Sequence, residues 1–232
     1  MEKTLQNGLT ALGLQTEAIA QLIDFSQRML EKNQVMNLTA ITDPTEVAQK
    51  HLLDCAALLA LYPFAGKRVI DVGTGAGFPG MVLRLLEKDF DLTLLDSLGK
   101  RVDWLQETCN AMDLKRTTCV HARAEEFASQ NREAFDIATS RAVAQLNVLC
   151  ELALPLVKVG GVFLAMKAQD SEEEISAARG AIGQLGGRIQ AVQEYGIPTT
   201  DLIRRVVVIE KIHPTPRQFP RSFAKIKSKP LR

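Results

Sequence analysis

A glycine-rich stretch is the part of this sequence whose composition most directly indicates ligand binding. The residues from Val69 to Gly80 read VIDVGTGAGFPG, and they contain the alternating glycines Gly73, Gly75 and Gly77. Glycine lacks a Cβ atom, so the backbone here can turn tightly and bring its N–H groups close to a ligand. Glycines also serve simple strand-to-helix turns, so the motif alone leaves both interpretations open.

The residues around these glycines favour one class of ligand. The spacing G-x-G-x-G differs from the G-x-G-x-x-G of dinucleotide-binding loops, and no G-K-[ST] sequence for a nucleoside triphosphate accompanies it. Asp71 lies two residues before Gly73, and its carboxylate would repel a pyrophosphate. A carboxylate would instead suit a ligand with a cationic amino-acid end, such as S-adenosyl-L-methionine with its ammonium and sulfonium groups.

A second acid follows one helix and one strand later. The stretch FDLTLLD ends at Asp96, a position where an acid in a parallel sheet accepts hydrogen bonds from ribose hydroxyls. A strand-ending aspartate can equally cap the next helix, so Asp96 carries weight only together with the glycine loop. The D-x-G-x-G-x-G loop followed by this aspartate predicts a class I S-adenosylmethionine-dependent methyltransferase.

The elements that position these residues follow from hydrophobic periodicity. Apolar residues recur at three- and four-residue steps over positions 16–35, and Asp43 and Pro44 should begin another helix, with Glu46 completing a capping box. After Lys67, short apolar runs alternate with helical stretches, which is typical of βαβ units. The last two strands lack a helix between them, which predicts a terminal antiparallel hairpin.

The sequence therefore predicts an α/β, Rossmann-like class I methyltransferase fold. We expect a mostly parallel seven-stranded sheet with helices on both faces. A helical N-terminal segment (1–64) should pack on the cofactor-binding domain (65–212), and a basic tail (213–232) should lie over the surface or be mobile. The tail contains no acid, and its six basic residues are Arg217, Arg221, Lys225, Lys227, Lys229 and Arg232.

Composition narrows the cellular setting. The chain has 232 residues, of which 46% are hydrophobic and 24% charged, as in globular proteins with a full core. Its four cysteines lack paired or metal-like spacing, which indicates reduced, buried thiols. No uninterrupted apolar stretch suits a signal peptide or a membrane span. We expect a cytoplasmic monomer that binds neither a metal nor a membrane.

The absence of two motifs argues against two classes of target atom for methylation. Adenine-amine methyltransferases carry [DNS]-P-P-[YFW] after the fourth strand, where this chain has TSRAVAQL. Cytosine carbon-5 enzymes need a nucleophilic cysteine, usually after proline, and none of the four cysteines has that setting. The motifs do not by themselves say which atom is methylated.

Several blocks, taken in order, resemble one family. NLTAITDP, HLLD, IDVGTGAGFPG, LLDSLGKRVDWL, RAEE, TSRAVA, PLVKVGG and LAMKA are similar to blocks of the GidB (RsmG) family of bacterial 16S ribosomal RNA guanine-N7 methyltransferases. The resemblance covers nearly the whole chain. Cys55 stands where many relatives have serine, a replacement of similar size. The resemblance implies methylation of guanosine 527 of 16S rRNA, with S-adenosyl-L-homocysteine as the second product.

The resemblance also implies site residues. Cofactor contacts fall on Gly73, Phe78, Ala124, Glu125 and Arg141. No general base is expected, because guanine N7 carries a free lone pair, and catalysis would rest on proximity and electrostatics, with Arg141 as an orienting residue.

The expected partner is 16S rRNA or the 30S subunit. Basic side chains would bind phosphates and planar groups would stack on bases. The candidates for RNA binding are Asn37, His51, Lys100, Arg101, Arg123, Lys167, Arg217, Arg221, Lys225, Lys227 and Lys229. A core or capping role is the alternative for Asn37 and His51, since His51 falls on an apolar helix face.

Three other functions stay open at this point. The chain could be a class I enzyme that methylates a small molecule or a protein. It could be a non-enzymatic ribosome-assembly or RNA-binding factor that binds S-adenosylmethionine. A nicotinamide-dependent oxidoreductase is disfavoured by the spacing of the glycines.

Overall fold

The computed structural model describes residues 1–232 as one seven-stranded sheet surrounded by helices. The strands are β1 (Arg68–Val72), β2 (Asp91–Asp96), β3 (Thr117–His121), β4 (Phe135–Arg141), β5 (Val157–Ala168), β6 (Gly187–Gly196) and β7 (Ile203–Lys211). The helices before the sheet are α1 (Glu2–Ala11), α2 (Ile19–Met36), α3 (Pro44–Val47), a π-helical turn (Ala48–Leu53) and α4 (Asp54–Leu61). The later helices are α5 (Gly80–Leu86), α6 (Gly99–Ala111), α7 (Ala124–Gln130), α8 (Leu146–Ala153) with a 3₁₀ turn (Leu154–Leu156), α9 (Glu172–Gln184) and α10 (Phe223–Ser228).

The sheet has the order β3-β2-β1-β4-β5-β7-β6. The pairs from β3 through β5 are parallel, whereas β7 pairs antiparallel with both β5 and β6. This topology confirms the predicted fold class, including the terminal hairpin. The strand order reverses between β1 and β4, and ligands of such sheets bind beside the carboxyl ends of the strands at that reversal.

Helices cover both faces of the sheet because successive strand residues point to opposite sides. On β1, Val69 belongs to the core beneath the N-terminal helices, and Ile70 to the core on the other face. Helix α2 contributes its predicted apolar stripe, and its buried Phe25 packs against Phe78 of the glycine loop (ring centroids 5.7 Å apart) and Trp104 of α6 (6.3 Å). The N-terminal helices thus form one wall of the region above β1.

The third predicted helix begins as expected but continues differently. The Asp43 carboxylate accepts a hydrogen bond from the Glu46 backbone N–H at 2.9 Å, and Pro44 occupies the first turn. The capping box is only half formed, because the Glu46 carboxylate pairs with Lys50 at 2.5 Å. The helix then widens into the π-helical turn, a local feature that often marks functional sites.

The basic tail is fixed along the surface by specific contacts. The Arg132 guanidinium donates to the backbone carbonyls of Thr215, Pro216 and Phe219. Arg221 forms a two-pronged ion pair with the fully buried Glu151 of α8, at 2.8 and 2.6 Å. Arg221 thus has a structural partner, and its predicted contact with RNA stays a prediction.

None of the helices has both the length and the apolar composition that spanning a membrane requires.

We expect Arg221→Ala to lower the free energy of unfolding by roughly 3 kcal/mol, because the buried Glu151 would lose its ion-pair partner and keep only the hydrogen bond from the backbone N–H of residue 221. Urea denaturation measures this change. The exposed Arg217 of the same tail offers a matched control, and Arg217→Ala should change stability by less than about 0.5 kcal/mol. Equal stabilities of the two variants would contradict the assignment.

Candidate functional site

A cavity of about 730 Å³ opens at the carboxyl ends of the central strands. This volume lies in the range of sites for small ligands. Its walls come from the glycine loop, the ends of β2, β4 and β5, the N-terminal helical segment and the hairpin. Among the predicted cofactor residues it is lined by Gly73, Gly75, Phe78, Asp96 and Arg141, and among the predicted RNA-binding residues by His51, Arg101 and Lys167.

Asp71 holds the loop in place from beneath and does not face the cavity. Its carboxylate is fully buried; Oδ2 accepts hydrogen bonds from the Thr74 hydroxyl (2.7 Å) and the Gly80 N–H (2.9 Å), and Oδ1 from the Thr139 hydroxyl (3.2 Å). Burial raises the pKa of Asp71 to about 6 despite these hydrogen bonds. The sequence predicts a contact with the ligand, whereas the structure gives Asp71 the role of organising the loop.

The three glycines have different roles. Gly73 and Gly75 have φ values of +71° and +58°, in the left-handed region that glycine adopts most easily, and both line the cavity. Gly77 lies outside the cavity walls. A Cβ atom at Gly77 would lie 2.6 Å from Cγ of Met81, so this glycine permits close packing against α5.

Asp96 lies where the sequence predicts, at the end of β2 and in the cavity wall. Its Oδ2 accepts the Gly75 N–H and its Oδ1 accepts the Leu98 N–H, both at 2.9 Å. Each carboxylate oxygen has a further lone pair, so Asp96 can still accept hydrogen bonds from ligand hydroxyls.

Ala124 and Glu125 begin helix α7, just after β3, and are not part of the cavity walls. The Glu125 side chain accepts a hydrogen bond from Arg123 Nε at 2.5 Å, and the Arg123 guanidinium lies over the Phe223 ring, 3.9 Å from its centroid. Arg123 is thus held between an acid and the tail. A contact between Ala124 or Glu125 and the cofactor stays a prediction.

Arg141 is the centre of a buried hydrogen-bond network in the cavity wall. Its Nη1 donates to the Lys50 carbonyl (3.0 Å) and to Asp54 Oδ2 (3.2 Å), and its Nη2 lies 3.2 Å from His51 Nδ1. The guanidinium also lies over the Phe78 ring, 4.8 Å from its centroid. All three polar partners belong to the N-terminal helical segment, so Arg141 joins that segment to the sheet.

His51 is a neutral member of this network. Its ring stacks on Phe78 with centroids 4.7 Å apart, and Nε2 lies 2.8 Å from the Thr39 hydroxyl. Its Nδ1 lies between two groups, 3.2 Å from Arg141 Nη2 and 3.1 Å from the Lys50 carbonyl oxygen. Burial, and secondarily the Arg141 charge, lowers the pKa of His51 to about 4. His51 thus combines the expected apolar packing with a place in the cavity wall.

The other candidates for RNA binding either line the cavity or lie outside its walls. Lys167 is paired with Glu174 at 2.6 Å, whereas Arg101 lines the cavity without an ion pair. The exposed candidates outside the cavity walls are Asn37, Lys100, Arg217, Lys225, Lys227 and Lys229. No group of three or more His, Cys, Asp or Glu side chains is arranged to hold a metal ion.

Sequence reasoning missed four ionisable lining residues, namely Lys50, Asp54, Tyr195 and Arg204. Asp54 belongs to the HLLD block three residues after His51, and helical spacing could have placed both on one face. Tyr195 and Arg204 face each other across the hairpin, and nothing in their local sequence signals the cavity.

The buried Asp71 carboxylate predicts a pH-dependent stability difference. Its folded-state pKa lies above that of an unfolded carboxyl, so wild-type stability relative to Asp71→Asn should be highest below about pH 4 and fall as pH rises through about 6, by about 3 kcal/mol. Urea denaturation across this range measures it. The exposed Asp103→Asn of α6 should show no such divergence, and parallel pH profiles for wild type and Asp71→Asn would refute the expectation.

Comparison with known proteins agrees with this geometry. Residues 18–203 match the family model GidB, described as rRNA small subunit methyltransferase G. Relatives named ribosomal RNA small subunit methyltransferase G include one from Clostridium perfringens strain 13, 44% identical over 90% of this chain and 88% of its own length. Another, from Lactobacillus johnsonii, is 42% identical over 91% of this chain and 90% of its own length. A structure titled as a SAM dependent methyltransferase from Aquifex aeolicus shares the fold, with a TM-score of 0.53 and 16% identity over 79% of this chain and 97% of that one. The chain belongs to the GidB family of rRNA small subunit methyltransferases.

Proposed function

We propose that this chain transfers the methyl group of S-adenosyl-L-methionine to N7 of guanosine 527 in 16S rRNA. When bound, the cofactor supplies an electrophilic methyl group on a sulfonium. The N7 lone pair forms the new C–N bond as the C–S bond breaks, and sulfur keeps the electron pair. S-adenosyl-L-homocysteine and a cationic 7-methylguanosine result, with no proton released.

The observation that carries the choice of N7 is that the acids, the imidazole and the phenol lining the cavity already make hydrogen bonds within the protein. The two carboxylates, Asp54 and Asp96, each accept hydrogen bonds on both oxygens. Both ring nitrogens of His51 lie within hydrogen-bond distance of protein groups and its pKa is near 4, and Tyr195 donates to Asp54. A site in which these groups already have protein partners suits a nucleophile that carries its own lone pair and loses no proton.

The residues present fit the proposed cofactor. Gly73 and Gly75 allow the loop backbone to approach a ligand, and Asp96 offers lone pairs to ribose hydroxyls. Asp54 balances the charge of Arg141, so the wall on that side carries no net cation. Proximity and orientation, rather than proton transfer, would supply most of the rate.

RNA binding would use the cations that the fold leaves free. Arg101 on α6 and Arg204 on β7 line the cavity without an ion pair. In the sheet order, α6 follows a strand on one side of the central strands β1 and β4, and β7 lies on the other side. Leu98 and Val143 line the same cavity with exposed apolar side chains, which suits an unstacked base. The exposed lysines of the tail would add phosphate contacts.

The direct test is methylation with labelled cofactor, comparing free 16S rRNA with 30S subunits and mapping the product by mass spectrometry. Wild type should modify guanosine 527 at N7. Gly73→Asp should neither bind S-adenosylmethionine in calorimetry nor methylate, because a charged side chain would enter the loop and meet Val143. Gly66→Asp is the matched control, since Gly66 has nearly the same φ, +72°, and open space around its missing Cβ.

Three outcomes would separate the alternatives. Cofactor binding without methylation of either RNA would favour an assembly factor. Methylation of a small molecule or protein only would favour another class I enzyme. Methylation at another atom of the same RNA would refute the proposed regiochemistry.

The contribution of the tail can be measured separately. The triple variant Lys225→Ala, Lys227→Ala, Lys229→Ala should weaken RNA binding and reduce the slope of log K against log salt by about two to three, while cofactor affinity stays unchanged. Lys88, Lys115 and Lys158 are exposed near the opposite, amino ends of the strands and provide a matched triple control. An equal effect of both triples would show that the tail has no specific role.

A further inference from the structure

Tyr195 joins the hairpin to the N-terminal helical segment inside the cavity wall. It lies on β6, the edge strand, opposite Arg204 of β7. Its hydroxyl donates a hydrogen bond of 2.8 Å to Asp54 Oδ1, at the start of α4. Burial raises the pKa of Tyr195 above its usual value, and the neighbouring Asp54 charge raises it further, so the phenol stays protonated and donates.

The Asp54 carboxylate is hydrogen-bonded to Arg141 as well as to Tyr195. The carboxylate is only 4% exposed, and its second oxygen, Oδ2, accepts from Arg141 Nη1 at 3.2 Å. With one oxygen held by Tyr195 and the other by Arg141, the carboxylate cannot rotate without breaking a hydrogen bond. Removing the Tyr195 hydroxyl would leave Oδ1 buried without this donor and free the carboxylate to turn.

Arg141 depends on that carboxylate for its placement. Its other contacts are the backbone carbonyl of Lys50, the neutral imidazole of His51 and the face of the Phe78 ring, so Asp54 is its one anionic partner. Arg141 lines the same cavity as Gly73 and Asp96. A shift of Asp54 would therefore move the guanidinium within the proposed cofactor site.

We infer that Tyr195 is a positioning residue that acts through Asp54 to hold the Arg141 guanidinium in the geometry required for S-adenosylmethionine binding. This inference rests on the proposed function for the identity of the cofactor. Tyr195 itself is not assigned a contact with the reacting atoms. The hairpin thereby contributes to the site from the far edge of the sheet.

The test compares two conservative variants by calorimetric binding of S-adenosylmethionine and S-adenosylhomocysteine to the full chain. Tyr195→Phe removes only the hydroxyl and should weaken binding of both about tenfold, as expected for loss of a hydrogen bond to a charged group. Tyr62→Phe is the control: Tyr62 is the only other tyrosine, and it lies outside the cavity walls. Its affinities should equal those of wild type.

A double variant separates a positioning role of Tyr195 from an effect on overall stability. In Asp54→Asn the anionic partner of Arg141 is already lost, so adding Tyr195→Phe should weaken cofactor binding no further, whereas independent effects would multiply. Thermal unfolding without ligand gives the stability change of each variant. Unchanged affinity in Tyr195→Phe, or a full additional loss in the Asp54→Asn background, would overturn the inference.

Failure of this inference is distinguishable from failure of the proposed function. If wild type binds the cofactor but does not methylate 16S rRNA, the proposed function fails while a tenfold difference between Tyr195→Phe and Tyr62→Phe still supports positioning. If wild type methylates guanosine 527 and Tyr195→Phe binds the cofactor as wild type does, only the positioning role is lost.

Discussion

The buried carboxylate of Asp71 is the constraint on which the geometry of the site depends. A carboxylate removed from water must be satisfied by hydrogen bonds, and its donors come from the glycine loop (Thr74), the start of α5 (Gly80) and the neighbouring strand β4 (Thr139). One side chain thus joins β1, β4 and α5 at the point where the strand order reverses. With the loop fixed in this way, the Gly75 N–H meets Asp96 at the end of β2.

The N-terminal helical segment completes the site that the sheet begins. The sheet supplies the glycine loop, Asp96 and Arg141, but the partners that hold Arg141 belong to the segment around the π-helical turn. Phe78 lies between the two parts, packing against Phe25 of α2 and His51. The segment is therefore part of the binding geometry, because without it Arg141 would lose its anionic partner and Phe78 its apolar cover.

The sequence predicts the elements well because their signals are local, and the site less well because its contacts are not. Periodicity identifies the βα alternation and the terminal hairpin, and the strand-end position of Asp96 places it correctly in the cavity. The same reasoning cannot tell whether the Asp71 side chain faces the cavity or the protein interior, because a shift of one residue along a strand reverses the direction of the side chain. The π-helical turn departs from the 3.6-residue period that such reasoning assumes, and Tyr195 meets Asp54 across 141 positions of sequence.

The cationic side chains that line the cavity fall into two groups. Five cationic residues line the cavity, and three of them are paired with acids: Lys50 with Glu46, Arg141 with Asp54 and Lys167 with Glu174. The other two, Arg101 and Arg204, form no ion pair. In the proposed reaction the base becomes cationic, so an unpaired positive charge beside the ring would oppose the transfer. Balanced cations can position groups without that cost, whereas the free arginines retain their full attraction for phosphates. Under the proposed function, this pairing pattern suits Arg141 to orientation, and Arg101 and Arg204 to attraction of RNA phosphates.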